Sequence, residues 1–129
     1  MSDTSGLMES HHRLGRALRR RGLTVMELTH AFSAEYAGIA RFSLSFMPGN
    51  RRVLISHGVE VVPEKRGMGT GRKLLKMREE IAREAGANLI LATVRNDNAA
   101  ESHLLETSGW VRFTNRAESG VSLWGKLLT

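Results

Sequence analysis

Three glycines at alternate positions constrain this chain more than any other feature. Gly67, Gly69 and Gly71 stand between a segment typical of a β-strand and a segment with helical periodicity. Glycine tolerates positive φ, so successive backbone N–H groups can converge on an anion without obstruction by side chains. The N-terminus of the following helix adds its positive dipole end. The pattern predicts an anion-binding turn, although a glycine-rich turn without a ligand would have the same spacing.

Two familiar nucleotide-binding motifs do not fit this turn. The Rossmann pattern requires a glycine at position 72, where the chain has Arg72. The Walker pattern ends in Gly-Lys-Ser or Gly-Lys-Thr, which does not follow these glycines. Neither a dinucleotide-binding fold nor a P-loop is therefore expected.

Apolar periodicity predicts how helices and strands alternate along the chain. Helices are predicted from Ser5 to Arg21, after the glycine turn as far as Gly86, and from Ala99 to about Thr107, with Asn98 as a helix cap. The predicted strands are Leu23 to Ala31, Gly38 to Met47, Arg51 to Val62, Asn88 to Val94, Gly109 to Thr114 and Val121 to Leu128, the last two joined by the loop Asn115 to Gly120. The strands on either side of the second helix should be parallel neighbours, because they form a βαβ unit.

The strand that leads into the glycine turn carries a histidine in an apolar series. Val53, Ile55, Val59 and Val61 are expected to share one face, and His57 occupies the missing place in that series. A bulge near Gly58 would change this alternation.

Composition excludes several classes of protein. A chain of 129 residues has room for one domain, residues 1–129. The absence of cysteine excludes disulfides, thiolate zinc sites and a cysteine nucleophile. No apolar run approaches the ~20 residues that cross a bilayer, and the polar start Met1-Ser2-Asp3-Thr4 does not resemble a signal peptide. These features predict a cytoplasmic protein without membrane association.

The net charge favours an anionic partner. Nineteen Lys and Arg against thirteen Asp and Glu give a formal charge of +6. The basic cluster from Arg13 to Arg21 has no interleaved aromatic residues to stack on bases, so nucleic-acid binding is not favoured. The adjacent His11 and His12 diverge on a helix, and no metal site is expected.

The segment from Val59 to Gly71 resembles the acetyl-CoA signature of the GNAT superfamily of acyl-CoA N-acyltransferases. That signature reads Arg/Gln-x-x-Gly-x-Gly/Ala after Val-x-Pro, and Arg66, Gly69 and Gly71 occupy its key positions. The resemblance extends from about Leu23 to the C-terminus. It implies an α/β or α+β fold: a mixed, mostly antiparallel sheet with a central parallel βαβ unit and helices on both faces.

The resemblance also implies which residues would hold acetyl-CoA. Backbone N–H groups of the turn would bind the pyrophosphate, the edge of the preceding strand would pair with the pantetheine arm, and nearby basic residues would meet the phosphates. Asn98 would lie near the arm, or would act only as a helix cap. The residues concerned are Val59, Val61, Arg66, Gly67, Met68, Gly69, Thr70, Gly71, Arg72 and Asn98.

The sequence also contains candidate catalytic residues. His57 lies on the strand where many family members carry a base, although a hydrogen-bonded histidine in the core would show the same pattern. Glu60 is the reserve base. Leu105 stands where many GNAT enzymes have a tyrosine that protonates the departing thiolate, and Ser102 is the nearest substitute. A strand N–H near Val61 would hold the oxyanion.

The expected function is transfer of an acetyl group from acetyl-CoA to a primary amine by direct attack. The acceptor is left open among a protein or peptide lysine, an N-terminus and other amines. The alternative is a non-catalytic GNAT-fold module that binds CoA or a partner. Two features favour this alternative: Leu105, and an N-terminal region that is shorter than in the family. Homodimerisation is common in the fold, and the sequence does not decide it.

Overall fold

The computed structural model describes residues 4–114 and 118–128, without the side chains of Thr4 and Ser5. The helices in these residues are α1, α2 and α3, and a 3-10 helix precedes α2. Their bounds are α1 Thr4–Arg20, the 3-10 helix Pro63–Lys65, α2 Thr70–Glu84 and α3 Ala99–Thr107. The strands are β1 Thr24–Glu27, β2 Phe32–Tyr36, β3 Ala40–Met47, β4 Asn50–Val61, β5 Leu89–Arg95, β6 Val111–Arg112 and β7 Val121–Leu127.

The strands form one mixed sheet in the order β1-β2-β3-β4-β5-β7-β6. β4 and β5 are parallel, and the other neighbouring strands are antiparallel. The predicted mixed, mostly antiparallel sheet with a central parallel βαβ unit is therefore confirmed. The terminal hairpin is also present, with a short β6; residues 115–117 of its predicted loop lie outside the described residues.

The prediction of one strand from Leu23 to Ala31 is wrong. The segment contains only β1, and the chain then turns so that the N–H of Leu28 donates to the carbonyl of Ala31. The strand β2 follows, antiparallel to β1, and it was missed. Apolar and polar residues alternate in the sequence of β2, and the structure buries Phe32 and Ala34 while Ser33 and Glu35 are more exposed.

A bulge in β4 corrects the face predicted for its apolar residues. Ser43 pairs with His57, whereas Arg41 pairs with Glu60, so β4 contains one extra residue in this stretch. Gly58 lies within it and has a φ of 51°. Because the extra residue reverses the alternation, Val59 and Val61 do not share the face of Val53 and Ile55, as the sequence had suggested.

All three described helices pack on one side of the sheet, here called the helix-covered face. This face carries Phe32, Phe42, Leu44, Leu54, Ser56, Ala92 and Trp124, which follow one another across the paired strands. Gly15 of α1 packs against the ring of Phe32. Arg78 of α2 donates to Ser56. Leu104 of α3 packs against Gly71 of α2.

The expectation of helices on both faces is therefore wrong for the described residues. Two crossovers, β4-α2-β5 and β5-α3-β6, run in the same direction across the sheet. Right-handed crossovers that run in one direction place their helices on the same side. The opposite side, here called the open face, carries Ser43, Ser45, Val53, Ile55, His57, Leu91 and Thr93.

The principal core lies between the helices and the helix-covered face. It includes Leu14, Leu74, Ile81, Leu105 and Trp124, whereas the buried Val53 and Leu91 of the open face stand outside it. None of the helices in residues 4–114 and 118–128 is long and apolar enough to cross a membrane.

Candidate functional site

The parallel strands at the centre of the sheet separate before they end. Val53 to Ser56 of β4 pair with Leu89 to Ala92 of β5. Beyond these residues, β4 continues to Val61 paired with β3, and β5 continues to Arg95 paired with β7. The edges of residues 57–61 and 93–95 therefore face a gap in the sheet. An extended polar molecule can fill such a gap by hydrogen bonding to strand edges.

The glycine turn lies at the carboxyl end of β4, beside this gap. Gly67 and Gly69 have φ values of 74° and 82°, which side chains disfavour, and Gly69 is the N-cap residue of α2. No side chain caps this helix start, and a Cβ on either glycine would meet nothing within 4 Å. The first N–H groups of a helix have no partner within the helix. The turn thus presents backbone donors to open space, as a phosphate-binding turn requires.

Gly71 and Arg72 connect α2 to α3. A Cβ on Gly71 would lie 3.4 Å from Cδ2 of Leu104, so the start of α2 lies beside α3. The guanidinium of Arg72 donates to Oγ of Ser108 at 3.2 Å and to Oγ1 of Thr107 at 3.0 Å. Arg72 therefore has partners within the chain, and its role at the phosphates stays a prediction.

Arg66 lies between the end of β4 and the glycine turn. Its Nε donates to the carbonyl of Val61 at 2.9 Å, which holds the side chain beside the gap. Met68, at the tip of the turn, is 68% exposed, and Thr70 is the first residue of α2. A depression of about 490 Å³ adjoins this region and includes Glu35, Glu60 and Arg66 in its lining.

Asn98 caps α3, as the sequence predicted. Its Oδ1 accepts a hydrogen bond of 3.1 Å from the N–H of Glu101. Asn98 follows β5 closely, so the cap lies at the carboxyl end of the strand that borders the gap. The capping role is confirmed, and a contact with a bound arm stays a prediction.

His57 is the first residue of β4 beyond its pairing with β5. It is exposed on the open face, and its Nε2 lies 2.9 Å from Oγ of Ser45 on β3. The alternative of a histidine buried in the core is wrong. A histidine in this position, oriented by one hydroxyl and accessible to solvent, can accept a proton from a group that approaches the gap.

Glu60 lies on the same face as His57 because of the bulge. The sequence had placed these two side chains on opposite faces unless such a bulge intervened. Its carboxylate accepts from Nε of Arg41 at 3.2 Å, and both side chains are about two thirds exposed. An ion pair this exposed contributes little to stability, so Glu60 is accessible to a cationic ligand.

Ser102 and Leu105 lie on α3, which contacts the helix-covered side. Leu105 is fully buried in the core, and Ser102 is half-buried. No contact recorded among the described residues joins Ser102 to His57 or Glu60. The structure therefore brings His57 and Glu60 to one face and leaves Ser102 apart from them.

Arg78 is the residue near the gap that sequence reasoning missed. Its side chain is buried in the core, with Nη1 donating to Oγ of Ser56 at 2.7 Å and Nε to the carbonyl of Leu74 at 3.3 Å. Nη2 has no hydrogen-bond partner among residues 4–114 and 118–128. Desolvation by burial lowers the pKa of Arg78 to about 10. One signal was available, because Arg78 falls at helical spacing within the buried stripe that contains Leu74 and Ile81.

Histidines and carboxylates do not form a metal centre in the part of the chain that the structure describes. No group of three or more such side chains is arranged there to hold an ion. The candidate site consists of the backbone donors of the glycine turn, the strand edges beside the gap and the side chains named above.

The chain matches the family model described as the acetyltransferase (GNAT) family over residues 11–110. This match includes the gap, the glycine turn and Asn98. It covers well over half of the chain.

Individual relatives match shorter segments. An L-amino acid N-acyltransferase of Escherichia coli is 37% identical over 60 residues, which is 46% of this chain and 35% of the relative. Streptothricin acetyltransferase of Streptomyces lavendulae is 36% identical over 76 residues, which is 59% of this chain and 39% of the relative. The chain thus spans less than half the length of these curated relatives.

A solved structure supports the fold. An acetyltransferase from Salmonella typhimurium, crystallised with its cofactor acetyl-CoA, superposes with a TM-score of 0.65 at 23% identity. The alignment covers 88% of this chain and 69% of that protein. At this identity the likeness supports the fold alone. Together with the family match over residues 11–110, the gap and the glycine turn lead to one conclusion: the chain belongs to the acetyltransferase (GNAT) family.

Proposed function

We propose that this chain transfers an acetyl group from acetyl-CoA to a primary amine by direct attack. One observation carries the proposal: the gap between β4 and β5 ends beside an uncapped glycine turn. A linear molecule with a diphosphate at one end and a thioester at the other fits both features at once. Membership of the family and the acetyl-CoA in the Salmonella typhimurium structure support this choice of donor.

Binding of the donor would use backbone groups more than side chains. The N–H groups from Gly67 to Gly71 would hold the pyrophosphate, including those of Met68, Gly69 and Thr70. The edge of β4 at Val59 and Val61 would pair with the pantetheine arm. Arg66 would add a positive charge near the phosphates, where its Nε is already fixed by the carbonyl of Val61.

His57 would serve as the base in the transfer step. The neutral amine nitrogen attacks the thioester carbonyl carbon, and the amine proton passes to His57 directly or through water. The C–N bond forms, the C–S bond breaks, and CoA leaves as the thiolate. Ser45 would hold the imidazole through its hydrogen bond to Nε2. Backbone N–H groups near Val61 would stabilise the oxyanion.

The departing thiolate would be protonated by water or by Ser102. Leu105 cannot supply a proton, and its side chain is fully buried. Because a CoA thiolate is a good leaving group, the step does not require a strong acid.

The amine would approach from the open face. His57 and Glu60 project there, and the neighbouring depression is lined by the carboxylates of Glu35 and Glu60 together with the guanidinium groups of Arg41 and Arg66. An accessible face of this kind suits a protein lysine, a peptide N-terminus or another bulky amine. The proposed reaction would take place within one protomer, so it does not require a homodimer.

A second candidate function is a CoA-binding module without catalysis. Leu105 favours it, because a leucine replaces the acidic hydroxyl that many members of the family carry. This candidate predicts the same binding site and no turnover.

Calorimetric titration with acetyl-CoA and with CoA tests the site, and thiol release with a panel of amines and peptides tests the reaction. We expect binding of both ligands and acceptor-dependent release of thiol. Binding without turnover across the panel would favour the non-catalytic module. Absence of binding would refute both candidates.

A further inference from the structure

Arg78 is a buried cation for which the described contacts provide no ion-pair partner. Its side chain is 1% exposed, and its two hydrogen bonds go to a hydroxyl and a backbone carbonyl. The neighbouring Glu79 acts on Arg78 through its charge but directs its carboxylate to Trp110 and Lys126. A buried charge with an unsatisfied N–H group costs free energy, and a ligand that accepts from this group would offset the cost.

The neighbours of the guanidinium place it beneath the gap. Nη1 donates to Ser56, the last residue of β4 that pairs with β5. The guanidinium carbon lies 5.8 Å from the ring of Phe42, a residue of β3 opposite the bulge. Glu101, in the first turn of α3 after the carboxyl end of β5, also acts on it electrostatically. These three neighbours surround the point where the strands separate, at the inner end of the gap.

We propose that Nη2 of Arg78 donates to a carbonyl oxygen of an acyl-CoA arm at the end that carries the thioester. This inference rests on the proposed function, because it needs an arm in the gap. The pyrophosphate would lie at the glycine turn, so the inner end of the gap receives the opposite end of the molecule. That end offers two carbonyl oxygens, those of the thioester and of the nearest pantetheine amide. Either would complete the hydrogen bonding of the guanidinium.

The hydroxyl of Ser56 gives the guanidinium its orientation. Nη1 and Nε are hydrogen-bonded on opposite sides, which holds the guanidinium in place. Because Nη2 is itself buried, an arm would reach it only where the residues above it part. A donor that is fixed before the ligand arrives loses little conformational entropy on binding. A charge-assisted hydrogen bond in a dry site is also among the stronger kinds.

Titration of three purified proteins with CoA and with acetyl-CoA tests the proposal. The test variant is Arg78→Met, which keeps an unbranched side chain as far as the position of Nε and has neither charge nor donors. The control is Arg83→Met on the same helix, whose Nε donates to the carbonyl of Leu128 far from the gap. Thermal unfolding without ligand is measured for each protein.

We expect Arg78→Met to weaken binding about tenfold or more, while Arg83→Met binds as the wild type does. Thermal unfolding without ligand shows whether Arg78→Met is folded, because loss of the hydrogen bond to Ser56 opposes the gain from removing an unpaired buried charge. Weaker binding of both ligands would indicate that Nη2 donates to the amide carbonyl. Weaker binding of acetyl-CoA alone would indicate that it donates to the thioester carbonyl. Wild-type affinity in a folded Arg78→Met protein would overturn the proposal and leave the proposed function intact.

A second measurement needs no variant. In ¹⁵N-labelled wild-type protein, the Nη signals of Arg78 should shift, and their protons should exchange more slowly, when the ligand saturates the site. Unchanged signals at saturation would overturn the proposal even if Arg78→Met failed to fold. Failure of the wild type to bind either ligand would instead refute the proposed function, and this inference with it.

Discussion

The carboxylate of Glu79 lies 2.8 Å from Nζ of Lys126 and joins α2 to the last long strand of the sheet. The same carboxylate accepts a hydrogen bond of 3.1 Å from Nε1 of Trp110. Glu79 is 6% exposed, and Nζ of Lys126 also donates to the carbonyl of Ser108. One buried acid therefore connects α2, β7 and the segment that precedes β6.

Replacement of Glu79 by alanine should destabilise the protein by roughly 2–4 kcal/mol, because Lys126 and Trp110 would both lose a buried partner. Glu79→Gln should cost less, since the amide can still accept from Trp110. Urea unfolding at neutral pH measures both values. Combining Glu79→Gln with Lys126→Met should recover part of the loss, and equal stability of Glu79→Ala and the wild type would contradict this account.

Gly69→Ala should weaken CoA binding more than tenfold and destabilise the protein by about 1–2 kcal/mol. The φ of 82° opposes a Cβ, and relief of that strain would rotate the N–H groups of the turn. Gly49→Ala is the matched control, because Gly49 has a φ of 76° in the hairpin between β3 and β4, away from the gap. It should lose similar stability and keep its CoA affinity by calorimetry. Equal losses of affinity in both variants would point to general disruption.

His57→Ala should lower kcat for acetyl transfer by about 10²-fold or more if His57 is the base, with little change in the affinity for acetyl-CoA. Thiol release at saturating acceptor measures kcat, and calorimetry measures binding. Ser45→Ala should have a smaller effect, about threefold to tenfold, because it removes only the hydrogen bond that orients the imidazole. His30→Ala is the control for an exposed histidine elsewhere. A His57→Ala protein with wild-type kcat would show that His57 is not the base and would favour Glu60 in that role.

Asn98→Ala should destabilise the protein by about 1 kcal/mol through loss of the α3 cap. Asn98→Asp should retain that stability, because a carboxylate caps equally well. If Asn98 also touches the bound arm through its amide N–H group, Asn98→Asp should weaken CoA binding without loss of stability. Thermal unfolding and calorimetry on the same samples separate the two roles, and unchanged affinity in Asn98→Asp would restrict Asn98 to capping.

Features governed by neighbouring residues were predictable from the sequence. The alternation in β3, with Ala40, Phe42 and Leu44 buried, follows from the two-residue period of a strand. The helix from Ala99 to Thr107 and its cap follow from the spacing of Asn98 and Glu101. The division of residues 23–36 into two strands was missed, because the turn at Leu28 to Ala31 contains no glycine or proline.

The glycine turn, the order of most elements and the parallel pair beside the gap could be predicted from the residues alone, because each rests on local periodicity or on the connection between consecutive elements. Which side chains meet depends instead on how distant parts of the chain pair and pack. The bulge in β4 brought Glu60 to the face of His57, since pairing with β3 sets the position of an extra residue. Burial of Arg78 was likewise decided by packing, since helical spacing identifies a stripe but does not show whether an arginine within it reaches solvent.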